Sequence, residues 1–267
     1  MISPLLNVMS AAAVKAGKGL LRDFGEVDQL QISRKGTANF VTQSDIRTEK
    51  LLQQELKKAR PDYGFLLEEG GEIPGKDATH RWIIDPLDGT TNFIHAIPYF
   101  CISIGLEKRE ADGRSDIIAA VIFDPIHNDL FTAEKGKGAL LNGRRIGVSA
   151  RDKLEEAMLV LGNMRFSTAP PIDTLKIFTA MAKSGAIVRD FGATALDLAN
   201  LAAGRIDACW HSVIQPWDIA AGLLLVREAG GQITTLDGEA GHAYAPALLG
   251  SNRHLHLPMQ KLLVKGE

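Results

Sequence analysis

The order of segments in this chain predicts a layered α/β fold. Apolar residues recur at helical spacing in some stretches and form short continuous or alternating runs in others, and through the second half the two kinds take turns. No internal repeat, low-complexity tract or long linker interrupts them. With 267 residues, 45% of them hydrophobic, the chain can bury a sizeable core as one domain. Two subdomains, about 1–150 and 151–267, are expected within it, with the functional site in the cleft between them.

The first element is an amphipathic helix from about Ser3 to Phe24, with Leu5, Leu6, Met9, Ala12, Ala16 and Leu20 on its apolar side. Ser44 or Asp45 is placed to cap a second helix through Arg60, and Pro61 ends it. Strands are expected at Trp82–Asp85, Phe100–Lys108 and Ile117–Phe123. A hairpin follows around Leu130–Ile146, with Gly136, Gly138 and Gly143 at its turns. The second half reads as strand Ala157–Leu161, helix from about Pro171 to Ser184, strand Ala186–Asp190 and helix Thr194–Ala203. Strand Ile206–His211 and helix Trp217–Ala229 complete the series.

Composition narrows the function classes. Thirty basic against 32 acidic residues leave a net charge of −2, and the lysines and arginines are spread rather than massed, so nucleic acid is not an expected substrate. Cys101 and Cys209 lie in apolar, strand-like stretches without C-x-x-C spacing, as expected of a protein in a reducing cytoplasm. No run of about 18 apolar residues suggests a membrane span. Lys15 and Lys18 break the amphipathic N-terminal pattern, so no apolar signal core is expected there.

The chemistry concentrates in Trp82-Ile83-Ile84-Asp85-Pro86-Leu87-Asp88-Gly89-Thr90-Thr91-Asn92-Phe93, an apolar strand running into two aspartates three residues apart and a glycine-threonine turn. Two carboxylates at the mouth of a buried strand repel each other and need a compensating cation, and hard oxygen ligands favour Mg²⁺. Gly89 allows close backbone approach, and Thr90 and Thr91 can open a helix whose N–H groups suit a phosphate.

This string resembles the signature of the inositol monophosphatase family, within the lithium-sensitive, Mg²⁺-dependent phosphatases that include fructose bisphosphatases. Three further segments agree in order. Lys35-Gly36-Thr37-Ala38-Asn39-Phe40-Val41-Thr42-Gln43-Ser44-Asp45 resembles the family's mobile lysine loop and the helix start bearing a catalytic-network aspartate. Gly64-Phe65-Leu66-Leu67-Glu68-Glu69-Gly70 resembles the strand that delivers an acidic ligand, and Gln215-Pro216-Trp217-Asp218 the second signature. Glu228-Ala229-Gly230-Gly231 and the Lys135–Ala139 hairpin also fit. By residue type alone Asp45 and Asp218 suit helix caps and Glu68-Glu69 a solvated turn. Agreement of four segments favours the functional reading.

The resemblance implies a sandwich of helix, sheet, helix, sheet and helix layers, a homodimer, and two or three Mg²⁺ ions. Glu68, Asp85 and the Leu87 carbonyl would hold one ion, and Asp85, Asp88 and Asp218 another. Asp45 and Thr90 would orient and deprotonate the attacking water, the N–H groups of Gly89 and Thr90 would receive the phosphate, and Lys35 would ride on a mobile loop. Gly192, Thr194, His211, Asp88 and Asp218 are the expected substrate contacts. Two of these depart from the family pattern: His211 stands where inositol-specific members carry a sugar-reading glutamate, and Thr194 where alanine is expected. The expected substrate is inositol 1-phosphate or a similar small polyol or sugar phosphate. Fructose 1,6-bisphosphate, histidinol phosphate and adenosine 3′,5′-bisphosphate are the rivals. A role as a protein partner in a bacterial transcription complex is the alternative from another class.

Overall fold

A computed structural model describes residues 3–26, 32–35, 39–162 and 174–265 of the chain. Helix α1 (Pro4–Phe24) starts on Ser3, whose hydroxyl accepts from the Leu6 N–H at 3.2 Å, with proline in the first turn where its missing N–H costs nothing. Strands β1 (Ile32–Lys35) and β2 (Asn39–Thr42) pair antiparallel ahead of α2 (Gln43–Ala59). The chain continues through β3 (Tyr63–Leu67), β4 (Gly71–Ile73), β5 (Asp77–Asp88), the short α3 (Thr90–Ile94), β6 (Cys101–Arg109), β7 (Ser115–Asp124), β8 (Asp129–Glu134), β9 (Gly138–Leu141) and β10 (Arg144–Arg145). The remainder is β11 (Met158–Gly162), α4 (Thr174–Lys183), β12 (Ile187–Arg189), α5 (Thr194–Ala202), β13 (Ala208–Ser212), α6 (Pro216–Glu228), β14 (Gln232–Thr234), β15 (Ala247–Ser251) and α7 (His256–Lys265).

Two sheets organise these elements. The larger has strand order β10-β9-β8-β7-β6-β5-β3-β4 and the smaller β12-β11-β13-β15-β14. Three apolar cores separate five layers. One core joins α1 and α2 to the large sheet, a second fills the space between the sheets with α5 and α6, and a third packs α4 and α7 on the outer face of the small sheet. Helix α5 is buried over its whole length, as a helix between two sheets must be. It packs closely on α6 at Gly222, where an added Cβ would come within 2.5 Å of the Leu198 side chain.

Most expected elements are present with ends shifted by a few residues, and the start of the helix expected from about Pro171 lies outside the described residues. The second helix is not capped as expected: Ser44 and Asp45 lie within its first turn, and the Ser44 hydroxyl donates instead to Asp23 of α1 at 2.7 Å. Beyond Ala229, β14, β15 and α7 were not expected from the sequence. The Glu228 carboxylate accepts from the N–H groups of Gly136 and Gly138, each at 2.7 Å, so α6 pins the β8–β9 turn.

Candidate active site

The site is assembled at the C-terminal end of β5. In a regular strand Asp85 and Asp88, three residues apart, would point to opposite faces. Pro86 cannot donate to the ladder, and the register slips between the two aspartates: Asp85 faces Ser103 and Asp88 faces Cys101 across β6, three steps on one strand against two on the other. That bulge turns both carboxylates to one face. The Leu87 N–H, freed from the ladder, donates to Asp85 Oδ1 at 2.9 Å. The Thr90 hydroxyl donates to the Leu87 carbonyl at 2.9 Å, and Gly89 between them takes the left-handed conformation, φ 92°.

Three other elements bring acids to this point. Strand β3 runs parallel to β5, and the Glu68 N–H just beyond it donates to the Ile84 carbonyl at 3.3 Å, which sets Glu68 beside Asp85. Helix α2 contributes Asp45 and, one turn on, Glu49, both buried; the Glu49 carboxylate accepts from the Glu69 N–H at 2.8 Å and so fixes the turn that carries Glu68. Helix α6 brings Asp218, whose carboxylate accepts from the Gln215 N–H at 2.8 Å in a reciprocal cap. Asp88 is held by α5: Oδ1 accepts from Thr194 N–H at 3.1 Å, and Oδ2 from Ala195 and Leu196 N–H at 2.7 and 3.3 Å.

Burial and mutual repulsion dominate the electrostatics. Asp85 is 2% exposed, and burial together with Glu68, Asp88 and Asp218 drives its pKa well above the carboxylate range. Burial raises Glu68 to about 8, opposed by its hydrogen bond with Asp85 and reinforced by Asp218 and Asp45. Asp218 rises to about 7 through burial, and Asp88 to about 6 despite its three amide donors. Among the described residues no lysine or arginine offsets any of the four. As they stand, the carboxylates turn to protein partners, and no group of three His, Cys, Asp or Glu side chains among the described residues is arranged to hold a metal ion. The donor chemistry nonetheless fits a hard divalent cation: the four acids offer carboxylate oxygens, the Cys101 thiol that donates to Asp88 Oδ2 at 3.7 Å is held protonated by burial, and the raised carboxylate pKa values are what a bound cation would bring back down.

Of the remaining expected site residues, Gly192 precedes α5 at φ 79° against the Asn92 amide. Thr194 opens the helix. His211, on β13, is 1% exposed, and its two ring nitrogens face Thr194 and Asp197. Lys35 ends β1, and its side chain and Gly36–Ala38 lie outside the described residues. Glu49 and the α5 amides escaped the sequence reading. Glu49 could have been found from its helical spacing to Asp45, whereas the amides have no side-chain signal.

The layered frame and the acid cluster define an α/β phosphatase. The model of the inositol monophosphatase family matches residues 1–264. An inositol-1-monophosphatase of Caulobacter vibrioides is 51% identical over 252 residues, 93% of this chain and 96% of that protein. The Nus factor SuhB of Pseudomonas aeruginosa is 41% identical over 253 residues, 91% of this chain and 92% of that protein. The crystal structure of the extragenic suppressor protein suhB from Bartonella henselae superposes with a TM-score of 0.91 at 45% identity, covering 99% of this chain and 100% of that one. The chain belongs to the inositol monophosphatase family and is a phosphoric monoester hydrolase.

Proposed function

We propose that the enzyme hydrolyses inositol 1-phosphate, or a similar small polyol or sugar phosphate, with Mg²⁺ held at the end of β5. The observation that carries this is the set of four acids, Glu68, Asp85, Asp88 and Asp218, gathered without a balancing cation side chain among the described residues. Glu68, Asp85 and the Leu87 carbonyl would hold one ion and Asp85, Asp88 and Asp218 another, with Glu68 available to a third. Bound Mg²⁺ supplies polarisation of the phosphoryl oxygens and acidifies the attacking water.

The chain's own groups do the rest. The Thr90 hydroxyl donates to the Leu87 carbonyl, so its oxygen can accept from the attacking water; for the proton to pass on to Asp45, the hydroxyl would turn from Leu87 to the Asp45 carboxylate as the water gives up its own proton to Thr90. The N–H groups of Gly89 and Thr90 receive the phosphate, and the bulge that aligns Asp85 with Asp88 fixes the geometry in advance. Gly192 and Thr194 wall the alcohol side. The names of the relatives support the inositol ester as substrate, and both cysteines, buried and unpaired, are in keeping with a reducing cytoplasm. No described helix is long and apolar enough to cross a membrane. A homodimer is part of the same reading.

Phosphate release from inositol 1-phosphate, fructose 1,6-bisphosphate, histidinol phosphate and adenosine 3′,5′-bisphosphate, each with Mg²⁺ and with chelator, tests it. Mg²⁺-dependent release from the inositol ester is the expected result; release from another ester alone, or from none, rejects the substrate assignment. The Nus factor name of the Pseudomonas aeruginosa relative favours a second reading, a binding role in a transcription complex. A variant without turnover that retained such binding would separate the two.

A further inference from the structure

Of a buried polar row on α5, the phosphatase reading uses only Thr194. Thr194, Asp197 and Asn200 stand three residues apart on a helix buried throughout, so they lie on one face of it. Across from them sit His211 of β13 and Tyr99. His211 Nδ1 is 3.4 Å from the Thr194 hydroxyl, and its Nε2 is 3.7 Å from Asp197 Oδ2, so one imidazole touches two residues a turn apart. The Tyr99 hydroxyl donates to Asp197 Oδ1 at 2.7 Å and accepts from Asn200 Nδ2 at 3.0 Å.

Gly162 makes room for this arrangement. It pairs with His211 in the parallel β11–β13 ladder, and a Cβ there would fall 2.0 Å from Nδ1. Among the described residues neither Asp197 Oδ2 nor His211 Nε2 has a hydrogen-bond partner, and the 3.7 Å between them is just beyond hydrogen-bond reach. A small approach would let one proton satisfy both atoms: on Nε2 it would serve Asp197 and leave Nδ1 to accept from Thr194, and on Asp197 it would serve Nε2 and leave Nδ1–H to donate to Thr194. Both arrangements connect the same groups. Such a row is costly to bury unless its members are joined, and the row ends on Thr194, whose N–H, with those of the next two residues, holds Asp88.

We propose that His211 is a positioning residue that pins Thr194 and Asp197 to β13 and so fixes the α5 amides that orient Asp88, rather than a reader of substrate hydroxyls. This rests on the phosphatase reading above. It accounts for the two departures from the family pattern together, since Thr194 and His211 are in contact with each other.

The test compares the wild type with His211→Leu, which fills the space without polar atoms, and with His211→Gln, which keeps a donor and an acceptor. Rates are measured on inositol 1-phosphate and on p-nitrophenyl phosphate, which has no alcohol hydroxyl, alongside amide hydrogen exchange at residues 194–196. For His211→Leu, kcat is expected to fall by the same factor on both substrates, about tenfold or more, with KM little changed and faster exchange at 194–196. His211→Gln should restore most of both. A rise in KM confined to the inositol ester would overturn the proposal in favour of substrate reading, and unchanged kcat and exchange would reduce His211 to packing. Should His211→Leu fail to fold, Thr194→Val removes the hydroxyl at nearly constant volume and is expected to act in the same direction. If the wild type hydrolyses neither ester, the phosphatase reading fails, while the exchange at 194–196 still decides for or against the positioning role.

Discussion

Strand β5 carries buried charge at both ends, and the ends are opposites. Near its start, Arg81 donates to Glu107 at 3.0 Å and Glu72 at 2.7 Å, and to the Tyr244 hydroxyl, which in turn donates to Glu107 at 2.6 Å. Burial alone would raise the Glu107 pKa, but Tyr244, Ser115, Arg81 and Arg109 together hold it below the usual carboxylate range. Four residues on, about 13 Å along the strand, Asp85 and its neighbours are equally buried and shifted the other way. The difference is the supply of cations. Where the chain provides guanidinium and phenol, a buried acid belongs to the scaffold. Where acids are gathered without such partners, the fold withholds a charge that a ligand can supply.

The largest effect is expected from Asp85→Asn. The asparagine oxygen can keep accepting from Leu87 N–H and its amide can donate to Glu68, so the protein should fold with unchanged or higher stability in chelator, while turnover falls about 100-fold or more. Phosphate release and thermal melting measure the two. Retained turnover would erase the contrast between the strand's ends.

Glu107→Ala should behave inversely. It leaves Arg81 buried without its main partner, costing about 3 kcal/mol in denaturant unfolding while the folded fraction keeps its kcat. Loss of activity at constant stability would show that the paired end also serves the chemistry.

A smaller, graded effect concerns pH. Folding raises Glu68 to about 8, Asp218 to about 7 and Asp88 to about 6, so between there and the unfolded carboxylate range the folded protein binds more protons. In chelator its melting temperature should therefore rise as pH falls from about 8 toward about 5. Mg²⁺ should flatten that slope, because ligation requires the deprotonated forms. Glu107 has the opposite sign: its contribution is present above its unfolded value and is lost as pH falls through its lowered folded value. A melting temperature that climbs with pH throughout, in chelator, would contradict the assignment.

Much of this contrast was legible in the sequence, for local reasons. The string from Trp82 to Phe93 is strand, proline, bulge and glycine turn in consecutive residues, so its chemistry could be seen without the fold. The α1 helix declared itself by its apolar spacing. What escaped depends on pairing between distant segments. The three-residue β14 and the five-residue β15 carry little periodic signal, and they make sense only within the small sheet, where β15 pairs with β13 and β14 with β15. Glu107 reads as an ordinary strand glutamate until Tyr244 reaches it from 137 residues away. His211 could be counted to its place before Asp218, but the direction of its ring is set by Gly162 and by α5, which no count along the chain includes.

The most direct measurement is calorimetric titration of Mg²⁺ into the protein near pH 6.5, in two buffers of different ionisation enthalpy, so that proton release is counted with binding. Acids whose pKa values are raised by crowding without a cation should take up Mg²⁺ and expel protons, and Asp85→Asn should weaken both. Absence of Mg²⁺ binding, or binding with no proton release, would contradict the assignment of the β5 end as a cation site.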